Sequence, residues 1–363
     1  MIDFRHLSKE ESASLDFLRA ISALLVVIGH GISFCGILTS LHQPNAPWMQ
    51  NIAVVIFFIL SGFLIAYSLA GKRNNNGYTY YHYVSDRFSR IYVTFIPALL
   101  FVVFIDFLSL TKSSDVYQYY AAYNPITFIA NLLMLQDYPV FSFATSFGSA
   151  RPFWTLAIEW WIYLFVGSLF FFFRDKKTKY IFLALIFMIV PLYNFIGGRG
   201  NGLFLYWLLG VGVFLVWSKG YVRSLSFNKK ILAFVLFLIL AVYRVLNTLV
   251  EYDKLFALFL SISILFFVEV ASLLDLNKLI LLISSKLANY SYTLYLIHYS
   301  LYDFLVSHYG GGVLIFFVGF LLSNTIAYIM GFYIEGKATR NIKDKLYFLI
   351  DKNISLGNRI TTL

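Results

Sequence analysis

The stretch LDFLRAISALLVVIGHG, Leu15 to Gly31, decides how the rest of the chain is read. It is apolar enough to enter a lipid bilayer, yet it carries Arg19 near one end and His30 near the other. A charge in hydrocarbon costs about 3 kcal/mol or more unless it pairs or meets water, so this segment points to a helix that faces a polar cavity. The two side chains are 11 positions apart. At 1.5 Å per residue that is about 16 Å and about 20° from three full turns, so both face nearly the same direction at two heights.

Outward from this segment the pattern repeats. Of 363 residues, 60% are hydrophobic and 13% charged, and the mean hydropathy is +0.75, which excludes an ordinary soluble domain. Ten apolar segments have the length of a bilayer crossing: Leu15 to Ile37, Asn51 to Ala70, Arg90 to Leu110, Pro152 to Phe173, Tyr180 to Ile196, Gly202 to Ser218, Ile231 to Thr248, Lys254 to Ser272, Leu287 to Ser307 and Val313 to Ile334. An eleventh piece, Ile126 to Gln136, is too short to cross and reads as re-entrant or surface-lying. Runs such as FFILSGFLIAYSLA are apolar on all sides, unlike the alternating strands of a barrel. The predicted fold is an all-α polytopic membrane protein, a bundle of about ten transmembrane helices with a central polar cavity. Its membrane domain covers residues 10–336, followed by a basic cytoplasmic tail over 337–363.

The net charge of +10 is informative by location. With these spans, 22 of the 28 Lys and Arg residues fall on one face and only Lys112, Arg151 and Arg199 lie in loops on the other. Both termini are therefore expected in the cytoplasm, with the basic excess contacting anionic membrane lipid and no nucleic acid. The single Cys35 leaves no intramolecular disulfide, and no metal-ligand spacing is present, so no metal is expected. The basic N-terminus leads into an apolar run without a small-residue cleavage site and reads as a retained first helix. Nothing in the pattern encodes an oligomeric state.

Depth along each span sorts the polar residues into two layers. Arg19 falls about 6 Å in from the cytoplasmic side, near Glu269 at about 8 Å, with Glu335 at the inner edge. His30 falls about 8 Å below the outer side, and Glu159 and Arg244 about 10 Å below it. His30 is either a structural hydrogen-bonding residue or a base. Its alignment with Arg19 suits a ligand with an anionic end at the cytoplasmic side and a reactive end deeper, the shape of coenzyme A.

Taken together, LDFLRAISALLVVIGHG, FFILSGFLI, RFSRIY, FWTLAIEWWIYL and YSYTLYLIHY, in this order, resemble the acyltransferase-3 family, membrane enzymes that O-acylate bacterial surface carbohydrates. The resemblance implies an O-acetyltransferase of the bacterial inner membrane, with acetyl-CoA as donor. The acceptor would be a hydroxyl of a surface polysaccharide or its lipid-linked precursor, such as O-antigen or capsule. Carried over by position, His30 is the catalytic histidine, Arg19 its basic partner in the first helix, and Arg87 and Arg90 the paired arginines opening the third. Glu159 is the acid of the W-T-L-x-x-E pattern. Ser61, Trp154, Tyr292, Tyr295 and His298 occupy polar or aromatic positions with a substrate-binding reading. Many relatives add a soluble esterase-like domain; with none in this sequence, the chain is expected to complete the transfer or hand over to a separate protein.

A hydroxyl needs a base to attack a thioester, and histidine suits that task near neutral pH. Direct transfer with His30 as base and passage through an acyl-His30 intermediate both fit. Glu159 either orients His30 or pairs with Arg244. Arg87 and Arg90 either grip the donor's phosphates or mark topology. Ser61, beside Gly62, also reads as a close-packing residue. The long Tyr-rich loop from Thr111 to Ala150 is expected to cap the outer chamber. A transporter or flippase for a polar or lipid-linked substrate is the alternative, since it too needs many helices and buried charges.

Overall fold

The computed structural model describes residues 5–112, 117–136, 138, 139, 141, 144–275 and 277–360, the last seven as backbone only. Its helices are α1 (Lys9–Cys35), α2 (Met49–Lys72), α3 (Tyr80–Lys112), α4 (Pro125–Leu132), α5 (Phe153–Asp175), α6 (Lys179–Phe187), α7 (Ile189–Ile196), α8 (Leu203–Ser218), α9 (Phe227–Thr248), α10 (Lys254–Ala271), α11 (Lys278–Ala288), α12 (Ser291–Tyr309), α13 (Val313–Gly331) and α14 (Thr339–Ile360). A π-helical turn, Phe332–Ala338, joins the last two. No strand occurs among the described residues.

Seven helical runs are long and apolar enough to cross a membrane, and the pair α6 and α7, bent by 42°, makes an eighth. The chain is a multi-pass membrane protein. Each of the ten expected spans falls on a helix or on that bent pair; α8 has only 16 residues, and α12 is richer in polar side chains. The short apolar piece forms α4, eight residues capped by Asn124, whose Oδ1 accepts the Thr127 N–H at 2.9 Å. Ile126, Ile129 and Leu133 are exposed there, an apolar stripe for a membrane surface.

Local chemistry fixes the helix ends. Ser8 and Glu11 form a capping box at the start of α1, and Gly36 takes a left-handed φ of 64° to end it. α1, α2, α5 and α12 surround the interior, whereas α9 and the α13 run, buried over only 11% and 17% of their most apolar windows, present Leu232, Ile239, Leu314 and Phe317 outward. Such side chains suit lipid contact.

Glycine sets two close approaches that position the interior. On α2 and α8, a Cβ at Gly62 would strike the Trp207 carbonyl and one at Gly210 would strike the Ile59 carbonyl, so the backbones touch where both residues lack side chains. Gly31, next to His30, lies against Tyr302 of α12, where an added Cβ would stand 2.6 Å from the phenol oxygen. Tyr302 also fills the gap over Gly319 of α13. The His30 end of α1 is thereby held against α12.

Charge closes the face that carries the termini. Arg5 bonds Glu11 at 2.5 Å, Glu269 at 2.7 Å and the Trp217 carbonyl at 2.7 Å, while the buried Lys230 bonds Glu269 at 3.1 Å. Glu269 therefore does not meet Arg19, as depth alone had suggested: Arg5 reaches back from before the helix and occupies it. The tail is helical, and α14 docks on the start of α3 through Tyr347 to Asp86 at 2.8 Å, Lys343 to Asp86 at 3.1 Å and His82 to Asp351 at 3.1 Å.

Candidate active site

Two cavities lie in line between α1, α2, α5 and α12. The one toward the basic face has a volume of about 320 Å³ and is lined by Arg19, Ser61, Arg87, Arg90, Glu159 and Tyr292. The one toward the opposite face, about 410 Å³, is lined by His30, Arg151, Trp154, Arg199, Tyr252 and Tyr299. Both are bounded by Val54, Thr155 and Tyr295. The Thr155 and Tyr295 hydroxyls are 2.6 Å apart.

Behind the wall of the outer cavity His298 forms a hydrogen-bonded pair with His30, His30 Nδ1 to His298 Nε2 at 2.9 Å. His298 is fully buried, and its Nδ1 lies 3.0 Å from the Leu294 carbonyl. A carbonyl only accepts, so this Nδ1 carries the proton. With His298 neutral, its Nε2 accepts the His30 Nδ1–H, which leaves the lone pair of His30 on Nε2. Tyr299 meets the His30 ring edge-on at 5.1 Å between centroids, and its hydroxyl is 3.3 Å from that of Tyr119 in the long loop. Gln118 of that loop donates to Asp303 at 3.1 Å. The loop thus packs beside the histidine.

The orienting partner of His30 is another imidazole, not Glu159. Glu159 lines the inner cavity and accepts the Tyr163 hydroxyl at 2.5 Å, one turn along α5. Because a carboxylate only accepts, the chain runs one way: Trp207 Nε1–H donates to Ser61 at 3.2 Å, Ser61 to Tyr163 at 2.9 Å, and Tyr163 to Glu159. Ser61 is a link in that relay. Nor does Glu159 pair with Arg244, which makes two 2.9 Å bonds to Asp253, the N-cap of α10, on the outer side of the bundle. Depth along a helix gives the layer of a residue but not the direction it faces.

Three guanidinium groups face the inner cavity. Arg19 bonds Asp16 at 3.3 Å, and Glu335, whose Oε1 accepts the Thr293 N–H at 2.7 Å, is a further carboxylate near Arg19 and Arg90. Arg87 lies beside the Tyr83 and Tyr163 rings at 5.6 and 5.8 Å, and its buried Nε has no hydrogen-bond partner among the described residues. The buried Tyr292 hydroxyl likewise has none. Unsatisfied donors in a cavity are what a polar ligand would occupy. Of the sequence-expected residues, Tyr295 touches both cavities, Trp154 lines the outer one with Arg199 4.6 Å over its ring, and His298 touches the outer cavity only through its bond to His30. Tyr163, Thr155, Arg151, Arg199 and Tyr299 were not anticipated; only the Glu159 to Tyr163 spacing of four was open to a sequence reading.

A family model described as "Acyltransferase domain" matches residues 12–332. The chain belongs to the acyltransferase-3 family. It is also similar to an uncharacterized protein of Haemophilus influenzae, 25% identical over 156 residues, which cover 40% of this chain and 60% of that protein. No solved structure matches the chain. The two cavities divide the residues predicted from the sequence: Arg19, Arg87, Arg90 and Glu159 lie on one side of the Thr155 and Tyr295 pair, and His30 on the other.

Proposed function

We propose that this chain is an O-acetyltransferase that receives acetyl-CoA from the cytoplasm and transfers the acetyl group to a hydroxyl of a surface polysaccharide, or of its lipid-linked precursor, at the outer side of the bacterial inner membrane. The observation that carries this reading is the pair of cavities meeting at Thr155 and Tyr295, cationic on the basic side and histidine-bearing on the other. Family membership favours acyl transfer over transport. The positive-inside distribution orients the basic face to the cytoplasm, with both termini.

In this reading Arg87 and Arg90, one turn apart on α3, hold phosphate with Arg19 below them, and guanidinium groups are suited to two-point bonding of such oxygens. The pantetheine arm then extends past Ser61 and Tyr292 toward Tyr295. At the outer side His30 Nε2 takes the proton of the acceptor hydroxyl as its oxygen bonds to the thioester carbonyl carbon. The carbon–sulfur bond breaks, and the proton passes from His30 to the departing thiolate. His298 holds the His30 ring in the tautomer that makes this possible. Glu159, held by Tyr163, counterbalances the arginines and orients the donor side.

The test is acyl transfer by the detergent-purified chain, with labelled acetyl-CoA and de-acylated surface glycan. Label should appear in the glycan with the native chain and be lost with His30→Ala. Equal labelling by both would remove His30 from the reaction, and absence of acetyl-CoA binding would return the transporter reading.

A further inference from the structure

The last span faces outward, yet the chain beyond it turns in. α13 buries a narrow stripe of small residues, Gly319, Ser323, Ala327 and Gly331, and exposes Leu314, Phe317 and Leu321. At the π-helical turn that follows, Glu335 accepts the Thr293 N–H at 2.7 Å and the Thr293 hydroxyl at 2.5 Å, and stands near Arg19 and Arg90 of the inner cavity. α14 then lies along the start of α3. A π-turn inside a helix often marks a functional position, and a segment that served only as a lipid-facing anchor would need no such return.

The register of the two helices shows what the return achieves. Lys343, Tyr347 and Asp351 follow at intervals of four and form one stripe of α14. His82, Asp86 and Arg90 form a stripe of α3 with the same interval. The tail occupies the first two members of the α3 stripe. The Thr79 N–H donates to His82 Nδ1 at 3.2 Å, so the proton of His82 is on Nε2, which donates to Asp351. Tyr347 and Lys343 donate to one oxygen of Asp86, while Lys72, at the end of α2, and the Tyr78 hydroxyl donate to the other at 2.6 and 2.8 Å. One buried carboxylate thus ties α2, α3 and α14 together. The third member of the stripe, Arg90, is one turn further on and lines the inner cavity.

We infer that α14 is a working part of the donor site: docked through Asp86, it sets the start of α3 so that Arg90 reaches the phosphate of the donor. The inference rests on the proposed use of acetyl-CoA and adds the device that orders its binding site. Asp86 and Tyr347 are positioning residues, since neither lines the cavity. Without the bonds from the tail, the first turns of α3 are tethered through Asp86 to α2 and Tyr78 alone, and Arg90 loses the support one turn before it.

The experiment titrates acetyl-CoA into the detergent-purified full chain and records the thermal unfolding temperature of each variant. Tyr347→Phe keeps the ring that meets His82 edge-on at 4.6 Å and removes one bond to the carboxylate. It should raise Kd about fivefold, and Asp86→Asn about tenfold or more, with part of the loss recovered in Asp86→Glu. The decisive variant is Tyr347→Phe combined with Arg90→Ala. Because Tyr347 acts through Arg90, its replacement should change Kd within about twofold once Arg90 is gone, whereas a merely structural contact would add its full effect. Additive losses would overturn the inference, as would native Kd in both Tyr347→Phe and Asp86→Asn, or a rise in Kd confined to variants with a lowered unfolding temperature. Failure of the native chain to bind acetyl-CoA, or native Kd in Arg90→Ala, would instead overturn the donor reading on which the inference rests.

Discussion

Replacement of His298 is the most direct probe of the histidine pair. His298 is fully buried and makes two hydrogen bonds, one to the Leu294 carbonyl at 3.0 Å and one to His30 at 2.9 Å. In the proposed transfer His30 gains a proton, so the bond from its Nδ1–H becomes a bond from a cation, worth about 1.5–3 kcal/mol. At 1.36 kcal/mol per factor of ten, its loss in His298→Ala lowers kcat about tenfold to 150-fold. Gln carries its amide oxygen near the position of the lost Nε2, so His298→Gln restores an acceptor and should recover part of the rate. The assay is the initial rate of thiol release from acetyl-CoA with de-acylated glycan, alongside the thermal unfolding temperature of the detergent-solubilised protein. KM for acetyl-CoA should stay within a few-fold, since His298 is separated from the inner cavity by Tyr295. Native kcat in His298→Ala, at an unfolding temperature close to native, would refute the orienting role. Equal loss in the Ala and Gln variants would refute the acceptor argument specifically.

Arg87→Ala and Arg90→Ala should each raise KM for acetyl-CoA about tenfold with little change in kcat, and Arg87→Lys should recover only part because an ammonium cannot bond two oxygens at once; a fall in kcat at constant KM would contradict this. Gly62→Val and Gly210→Val force a side chain into the opposite carbonyl, so each should lower stability by about 1–3 kcal/mol, seen as a lower unfolding temperature or loss of monodisperse protein in detergent. The Arg244 guanidinium holds the Asp253 carboxyl below its ordinary value of 3.8. A depressed acid stabilises the fold above its unfolded value and loses that effect as pH falls through the folded one. Asp253→Asn should therefore unfold at a lower temperature than the native chain at pH 7, with the two converging well below pH 4; a gap that persists at pH 2 would show that the ion pair is not its source.

What could be read from the sequence was whatever lies within one helix. Arg19 and His30 share a stripe of α1 because 3.6 residues per turn fixes their relative direction, and the structure places them in consecutive cavities with a common wall. The Glu159 and Tyr163 pair has the same origin. Partners on different helices were another matter. His30 and His298 are 268 positions apart, and their meeting depends on the Gly31 and Tyr302 contact, for which periodicity has no signature. Arg244 and Glu159 have similar depth but face opposite ways, since α9 is peripheral and α5 central. Glu269 and Arg19 share a depth, yet Glu269 is bonded at 2.7 Å by Arg5, which comes from outside the span.

The wall between the cavities bears on how a membrane enzyme avoids becoming a pore. An open polar passage through the bundle would conduct ions and protons whenever substrate was absent, a continuous loss for the cell. The Thr155 and Tyr295 hydroxyls stand 2.6 Å apart with the Pro152 carbonyl 3.0 and 3.3 Å from them, two protons shared among three contacts, and these polar groups lie where the two cavities meet. In the proposed transfer the reacting carbon comes within bonding reach of an acceptor beside His30, so these hydroxyls would separate as the donor arm arrives. Both can then turn to the arriving thioester, because a hydroxyl released from its neighbour in a dry interior seeks another acceptor. Opening and recognition would then be the same event, with the carbonyl oxygen replacing the hydrogen bond that had kept the two sides apart.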